Sequence, residues 1–162
     1  MSLKIIKEPK CVSSTSPPFP LLINGNFALY SMTTDDFLPG WTTGDDNRTG
    51  KCQITWLETI EIAFYADFGV GSLWQTIQLE ADTYQLTYEL KYPAGPTQNF
   101  ITRIKNANFV NVFSANHVMS DVYQEFTDNF TISTGGIYSV WFDFQLDAVQ
   151  NTYMRNVDLV RT

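Results

Sequence analysis

Polar and apolar residues alternate without a break through Tyr84-Gln85-Leu86-Thr87-Tyr88-Glu89-Leu90-Lys91-Tyr92, and this run limits the possible folds more than any other feature of the chain. A period of two places Tyr84, Leu86, Tyr88, Leu90 and Tyr92 on one side of an extended strand, with the polar residues on the other. A helix would scatter the same rings around its circumference. The pattern returns in Leu73-Trp74-Gln75-Thr76-Ile77-Gln78-Leu79. It returns again where Tyr138, Val140, Phe142 and Phe144 alternate with Ser139, Trp141, Asp143 and Gln145. Segments 52–57, 59–66, 99–105, 108–113, 121–132 and 152–160 have the same strand character. Turn chemistry divides them at Pro39-Gly40, Thr43-Gly44-Asp45-Asp46, Asp67 to Gly71, Pro93-Ala94-Gly95-Pro96 and Gly135-Gly136. No window sustains a 3.6-residue period. About eight to ten short strands without helices predict an all-β chain, an antiparallel β-sandwich of the jelly-roll kind. Its expected core is Phe27, Ile77, Leu79, Tyr84, Leu86, Tyr88, Phe130, Tyr138, Val140, Phe142, Val157 and Leu159.

The chain divides into an N-terminal arm over residues 1–20 and a sandwich domain over 21–162. Ser13 to Pro20 reads SSTSPPFP, which favours extended, polyproline-like backbone. The arm leads into the domain or lays Leu3 to Ile6 along it as a first edge strand. Its Ile5, Ile6 and Phe19 are better buried than exposed, so residues 1–20 are expected to pair with a neighbouring subunit. Met1 to Lys10 carries Lys4, Lys7 and Lys10 without an apolar stretch and does not read as a signal peptide. The 162 residues have no apolar run long enough for a membrane helix. A net charge of −7 with no Lys/Arg cluster would repel a phosphate backbone, which excludes nucleic acid as a partner class. Cys11 and Cys52 either pair or remain free thiols.

The chemistry-bearing residues point away from catalysis. His117 is the single histidine, with no nucleophile elbow to serve. Glu58, Glu61, Glu89, Glu125 and Asp143 lie on strand-like segments, where outward acids on an acidic protein are the default reading. Asp35-Asp36 and Asp45-Asp46 read as solvated acidic loops. Neither a metal nor a cofactor is expected. The more informative signal is aromatic placement. Strand parity turns Trp74 away from Leu73, Ile77 and Leu79, and Trp141 away from Val140 and Phe142. In 121–127 it turns Tyr123 away from Val122 and Phe126. Rings on the face away from a core form a ligand platform or a seat for a partner. Trp74, Tyr123 and Trp141, with Gln78 and Arg103 as hydrogen-bonding groups, are the candidate ligand-binding residues. Trp41 is read as a structural plug.

Asn24-Gly25-Asn26-Phe27 followed by Pro39-Gly40-Trp41 resembles the opening of carbohydrate-binding modules with the galactose-binding-like jelly-roll fold. Leu73 to Leu79 with Ala81-Asp82-Thr83-Tyr84-Gln85-Leu86 is similar to their central strand pair. Phe130-Thr131-Ile132, Gly136 to Phe142 and Asn156-Val157-Asp158-Leu159 are similar to their closing strands. The resemblance runs in order over residues 21–162. It implies a non-catalytic module that binds carbohydrate on an aromatic-bearing face, at an extracellular or particle surface. The family's structural calcium uses carboxylates where this chain has Ala28 and the pair Arg155-Asn156, so that ion is not expected here. Ser2 to Pro9 with the Ser/Pro-rich stretch is similar to leader strands on phage structural proteins. That likeness implies the alternative of a virion structural or decoration protein, docked on virion partners through residues 1–20.

Overall fold

Where the alternation is strictest, burial follows it residue by residue. In the computed structural model, Tyr84, Leu86, Tyr88 and Leu90 are buried along one strand while Gln85, Thr87, Glu89 and Lys91 face outward. The structure describes residues 21–23, 25–26, 40–45, 50–53, 62–66, 69–93, 99–146 and 152–162. The expected arm, Phe27, Cys11 and the pair Asp35-Asp36 lie outside the described residues.

The described strands are β1 (Thr42–Asp45), β2 (Gly50–Gln53), β3 (Ile62–Ala66), β4 (Gly69–Leu79), β5 (Asp82–Lys91), β6 (Asn99–Asn106), β7 (Asn111–Val118), β8 (Gln124–Ile132), β9 (Gly136–Leu146) and β10 (Thr152–Arg161). They form two five-stranded sheets, ordered β1-β4-β9-β6-β7 and β2-β3-β10-β5-β8. Each described pairing is antiparallel. The expected antiparallel β-sandwich is therefore the observed fold.

The first sheet contributes Leu73, Leu79, Phe100, Ile104, Val140, Phe142 and Phe144 to the core; the second contributes Tyr84, Leu86, Tyr88, Leu90, Phe126, Phe130, Met154, Val157 and Leu159. Ile77 is partly buried and packs against this cluster. Phe142 is the centre of an aromatic group. Its ring lies 5.3 Å from Tyr88 edge-on, 5.6 Å from Phe100 and 6.0 Å from Trp41. Trp41 is buried there, the plug position read from Pro39-Gly40-Trp41.

Two features fix the entry of the chain onto the sandwich. The buried Gln75 side chain acts as a short strand: its Oε1 accepts from Ile23 N at 2.7 Å and its Nε2 donates to Ile23 O at 2.8 Å. Gly25 then lies directly on β10, where Val157 N donates to Gly25 O. A Cβ at residue 25 would fall 2.0 Å from the Val157 carbonyl oxygen, so glycine is required for that approach.

Four expectations need correction. Thr43, Gly44 and Asp45, read as turn, lie in β1, and Gly69 to Gly71, also read as turn, open β4; the two segments pair with one another through Asp45 and Gly71. Residues 108–113 do not form a strand from their start. Asn106 Oδ1 accepts from Asn108 N and Val110 N, Phe109 takes φ 60°, and β7 begins only at Asn111. Asn106-Ala107-Asn108 is turn chemistry, and it overrode the apolar Phe109-Val110. Nor does the β8 alternation extend back to residue 121. Val122 is exposed, and β8 starts at Gln124.

Candidate functional site

The outward face of the first sheet carries an organised group of side chains outside the core. Trp74 on β4 and Trp141 on β9 are direct cross-strand partners. Neighbouring strands are about 4.8 Å apart, which lets paired upright rings meet face to face. The two indoles do so, with centroids 4.2 Å apart and planes 6° from parallel. On the β1 side, a Cβ at Gly44 would come within 2.5 Å of the Trp74 ring, so a residue without a side chain is needed there. On the β6 side, the Lys105 ammonium lies 3.6 Å from the Trp141 ring centroid. Both faces of Trp141 are thus engaged. The stack presents its ring edges, not two separate open platforms.

Asp143, two residues along β9 from Trp141, organises this group. Its Oδ1 accepts from Trp141 Nε1 at 2.6 Å and from Ser72 Oγ at 2.6 Å. Its Oδ2 pairs with the guanidinium of Arg103. Arg103 is the cross-strand partner of Trp141 on β6. Asp143 is buried, and three donors engage both of its oxygens. It therefore holds the indole and the guanidinium in place. Charge-assisted bonds of this kind are about twice as strong as neutral ones. Asp143 was legible in the sequence only as one outward acid among several. Its role comes from pairings between strands far apart in the chain.

The five ligand-binding candidates do not all converge. Trp74, Trp141 and Arg103 come together. Gln78 is exposed on the same face, four residues or about 13 Å along β4 from Trp74. Tyr123 lies on the opposite side of the sandwich, against the outward face of the second sheet. The Arg155 guanidinium covers its ring at 3.7 Å, and Lys91 Nζ lies 4.6 Å from the same ring.

Arg155 and Asn156, which the sequence resemblance sets where a calcium-binding acid would stand, both engage Glu89. Arg155 Nη2 donates at 2.7 Å and Asn156 Nδ2 at 2.6 Å. Among the described residues, no group of three or more His, Cys, Asp or Glu side chains could hold a metal ion. Burial alone would raise the Glu89 carboxyl, but the hydrogen bonds from Asn156 and Arg155 outweigh it and hold it below the usual carboxylate range. A depressed carboxyl stabilises the fold above its ordinary pKa, and that stability is lost as pH falls through the folded value. Urea unfolding from pH 6 down to pH 3 should therefore show a smaller acid loss in Glu89→Gln than in wild type. The pair is partly exposed, so the difference should be at most about 1 kcal/mol. Equal losses would show that Glu89 does not couple to folding.

A second polar group lies inside the sandwich. Tyr88 Oη on β5 donates to Asp128 Oδ2 on β8 at 2.7 Å, and the Thr102 hydroxyl on β6 completes its bonding at 2.5 Å. His117 Nε2 on β7 lies 3.1 Å and 3.2 Å from the two Asp128 oxygens. Burial first, then the adjacent Asp128 charge, push the Tyr88 phenol up, so it remains a donor. Its groups bond to one another across the two sheets, so His117 serves an edge of the core.

No family model and no curated protein sequence matches the chain. Solved structures do. One is a family 4 carbohydrate-binding module, with TM-score 0.69 and 18% identity over 87% of this chain and 99% of that one. Another is a family 61 module in complex with β-1,4-galactotriose, with TM-score 0.68 and 12% identity over 89% of this chain and 99% of that one. The fold is the jelly roll of the carbohydrate-binding modules. The same module fold matches 21% of a bacteriophage CBA120 tailspike chain, with TM-score 0.62, 14% identity and 88% of this chain covered. Similarity at these identities concerns the fold alone.

Proposed function

We propose that the chain is a non-catalytic module that binds carbohydrate on the outward face of its first sheet. The observation that carries this reading is the Trp74–Trp141 stack, anchored by Asp143 on a face turned away from the core. Aromatic faces and edges present the apolar surface that sugar C–H groups pack on. Arg103, Ser114, Asn116 and Gln78 supply directional hydrogen bonds around it; Ser114 and Asn116 pair across from Arg103 and Ile101 on β7. Glycoside hydrolysis needs two carboxyl groups about 5–10 Å apart. Among the described side chains of this face Asp143 is the only acid, and its donors already occupy it. The module fold of the solved neighbours supports the same reading, and a position on an extracellular or particle surface belongs to the proposal. Among the described residues no helix is long and apolar enough to cross a membrane.

A glycan array followed by calorimetry on the hits tests the proposal. Trp74→Ala should weaken binding about tenfold or more, equivalent to about 1.4 kcal/mol, while lowering stability by about 1 kcal/mol through loss of the Trp141 stack. A bound glycan whose affinity is unaffected by Trp74→Ala and by Trp141→Ala would place binding elsewhere.

The second reading is a virion structural protein docked through residues 1–20. It draws on the leader sequence and on the fold shared with part of a tailspike chain. Deleting residues 1–20 would dissolve an assembly under that reading and leave glycan binding intact under the first.

A further inference from the structure

We infer that the first-sheet face prefers saccharides bearing an anionic group, a uronate carboxylate or a sulfate ester, paired with Lys105. This rests on the reading of that face as a carbohydrate site. Among its described side chains, three are charged: Arg103 and Lys105 on β6 and Asp143 on β9. Arg103 and Asp143 neutralise one another as an ion pair. Lys105 is different: among the described residues no carboxylate reaches its ammonium. Among its described side chains the face thus carries one cation that no described carboxylate compensates, on a chain whose net charge is −7.

Its position gives that cation a role. Strand order sets β9 between β4 and β6, so Trp74, Trp141 and the Lys105 ammonium form a row across the sheet. The ammonium covers the ring face that a neutral sugar would otherwise stack on. A saccharide laid along this row over the ring edges, with one unit above Trp74, brings its next unit toward that ammonium. There a neutral substituent leaves the charge half-desolvated, whereas a carboxylate or sulfate compensates it. Burial first, then the like charge of Arg103, lower the Lys105 pKa, the signature of a cation lacking a counter-ion. Lysine recognises such a group as a point charge, without the fixed fork of arginine, so both acid types fit the same chemistry.

The test compares three probes by calorimetry on the whole chain: a galacturonate trimer, a sulfated trisaccharide and β-1,4-galactotriose. Each is measured at low and at higher salt, with wild type, Lys105→Gln and Trp74→Ala. The expected result is at least tenfold tighter binding of one or both acidic probes than of the neutral one. That advantage should shrink with salt, as a partly exposed charge pair does, and should vanish in Lys105→Gln. Trp74→Ala should weaken all the probes that bind. The better acidic probe identifies the group. Neutral and acidic probes binding alike, or an acidic preference that survives in Lys105→Gln, would overturn the inference and leave the carbohydrate site standing. If none of the three probes nor any array glycan binds, both readings fall. Melting curves of the variants separate lost binding from lost folding.

Discussion

Asp128→Ala is expected to destabilise the protein by about 3–5 kcal/mol, the usual cost of removing one partner from a buried charged network. Asp128 is buried, and it accepts from Tyr88 Oη and His117 Nε2. Alanine would leave a buried phenol without its acceptor and the imidazole without its carboxylate. Each unmet group costs on the order of 1–3 kcal/mol. The network spans the two sheets, since Tyr88 and Asp128 belong to the second and Thr102 and His117 to the first. Its loss should therefore loosen the sandwich along the β7–β8 edge. For a domain of this size the melting temperature should fall by roughly 6–20 °C, at about 2–4 °C per kcal/mol. Asp128→Asn keeps an acceptor for Tyr88 and should lose less. A fall below about 1 kcal/mol in Asp128→Ala would show that water replaces the carboxylate.

Phe142→Ala is expected to have an effect of similar size, about 3–5 kcal/mol, through a different cause. Phe142 is fully buried at the centre of the Trp41, Tyr88 and Phe100 cluster. Truncation removes the transfer free energy of a large ring and leaves a space bordered by other rigid rings. Aromatic walls collapse into such a space poorly, which puts the cost at the upper part of the range. Phe142 also directly follows Trp141 on β9. The variant should therefore weaken glycan binding only as far as it disturbs that strand. Chemical denaturation gives the free energy, and an unchanged slope with denaturant would confirm that folding remains two-state. A loss under about 1.5 kcal/mol would mean that the cluster repacks.

The fold was largely legible because a sandwich core writes itself as a period of two, and β5 and β8 do so in their burial patterns. It failed where local chemistry interrupts the period. At Asn106 the side chain closes a turn that hydrophobicity alone would have read as strand. On β10 the register with β5 shifts between Arg155 and Asp158, around Asn156 at φ 53°. Burial changes parity there, from Thr152 and Met154 to Val157 and Leu159. An asparagine in left-handed backbone is the device that shifts the phase. The site was only half legible. Parity alone turned Trp74 and Trp141 outward. Their meeting depends on β4, β9 and β6 being neighbours, a matter of sheet order that local pattern does not encode. Parity also turned Tyr123 outward, but that ring belongs to the other sheet. The engagement of Asp143 and Lys105 required side-chain contacts that no spacing rule supplies.

The parallel indoles have a spectroscopic consequence. Two such chromophores held 4.2 Å apart with planes 6° from parallel do not absorb independently. Their transitions couple, and the near-ultraviolet dichroism of the pair reports the relative orientation of Trp74 and Trp141. A cation resting on one member adds a local field that responds to the charge state of Lys105. The face thus carries its own optical reporter, through which the proposed binding of saccharide and of counter-charge can be followed without any label.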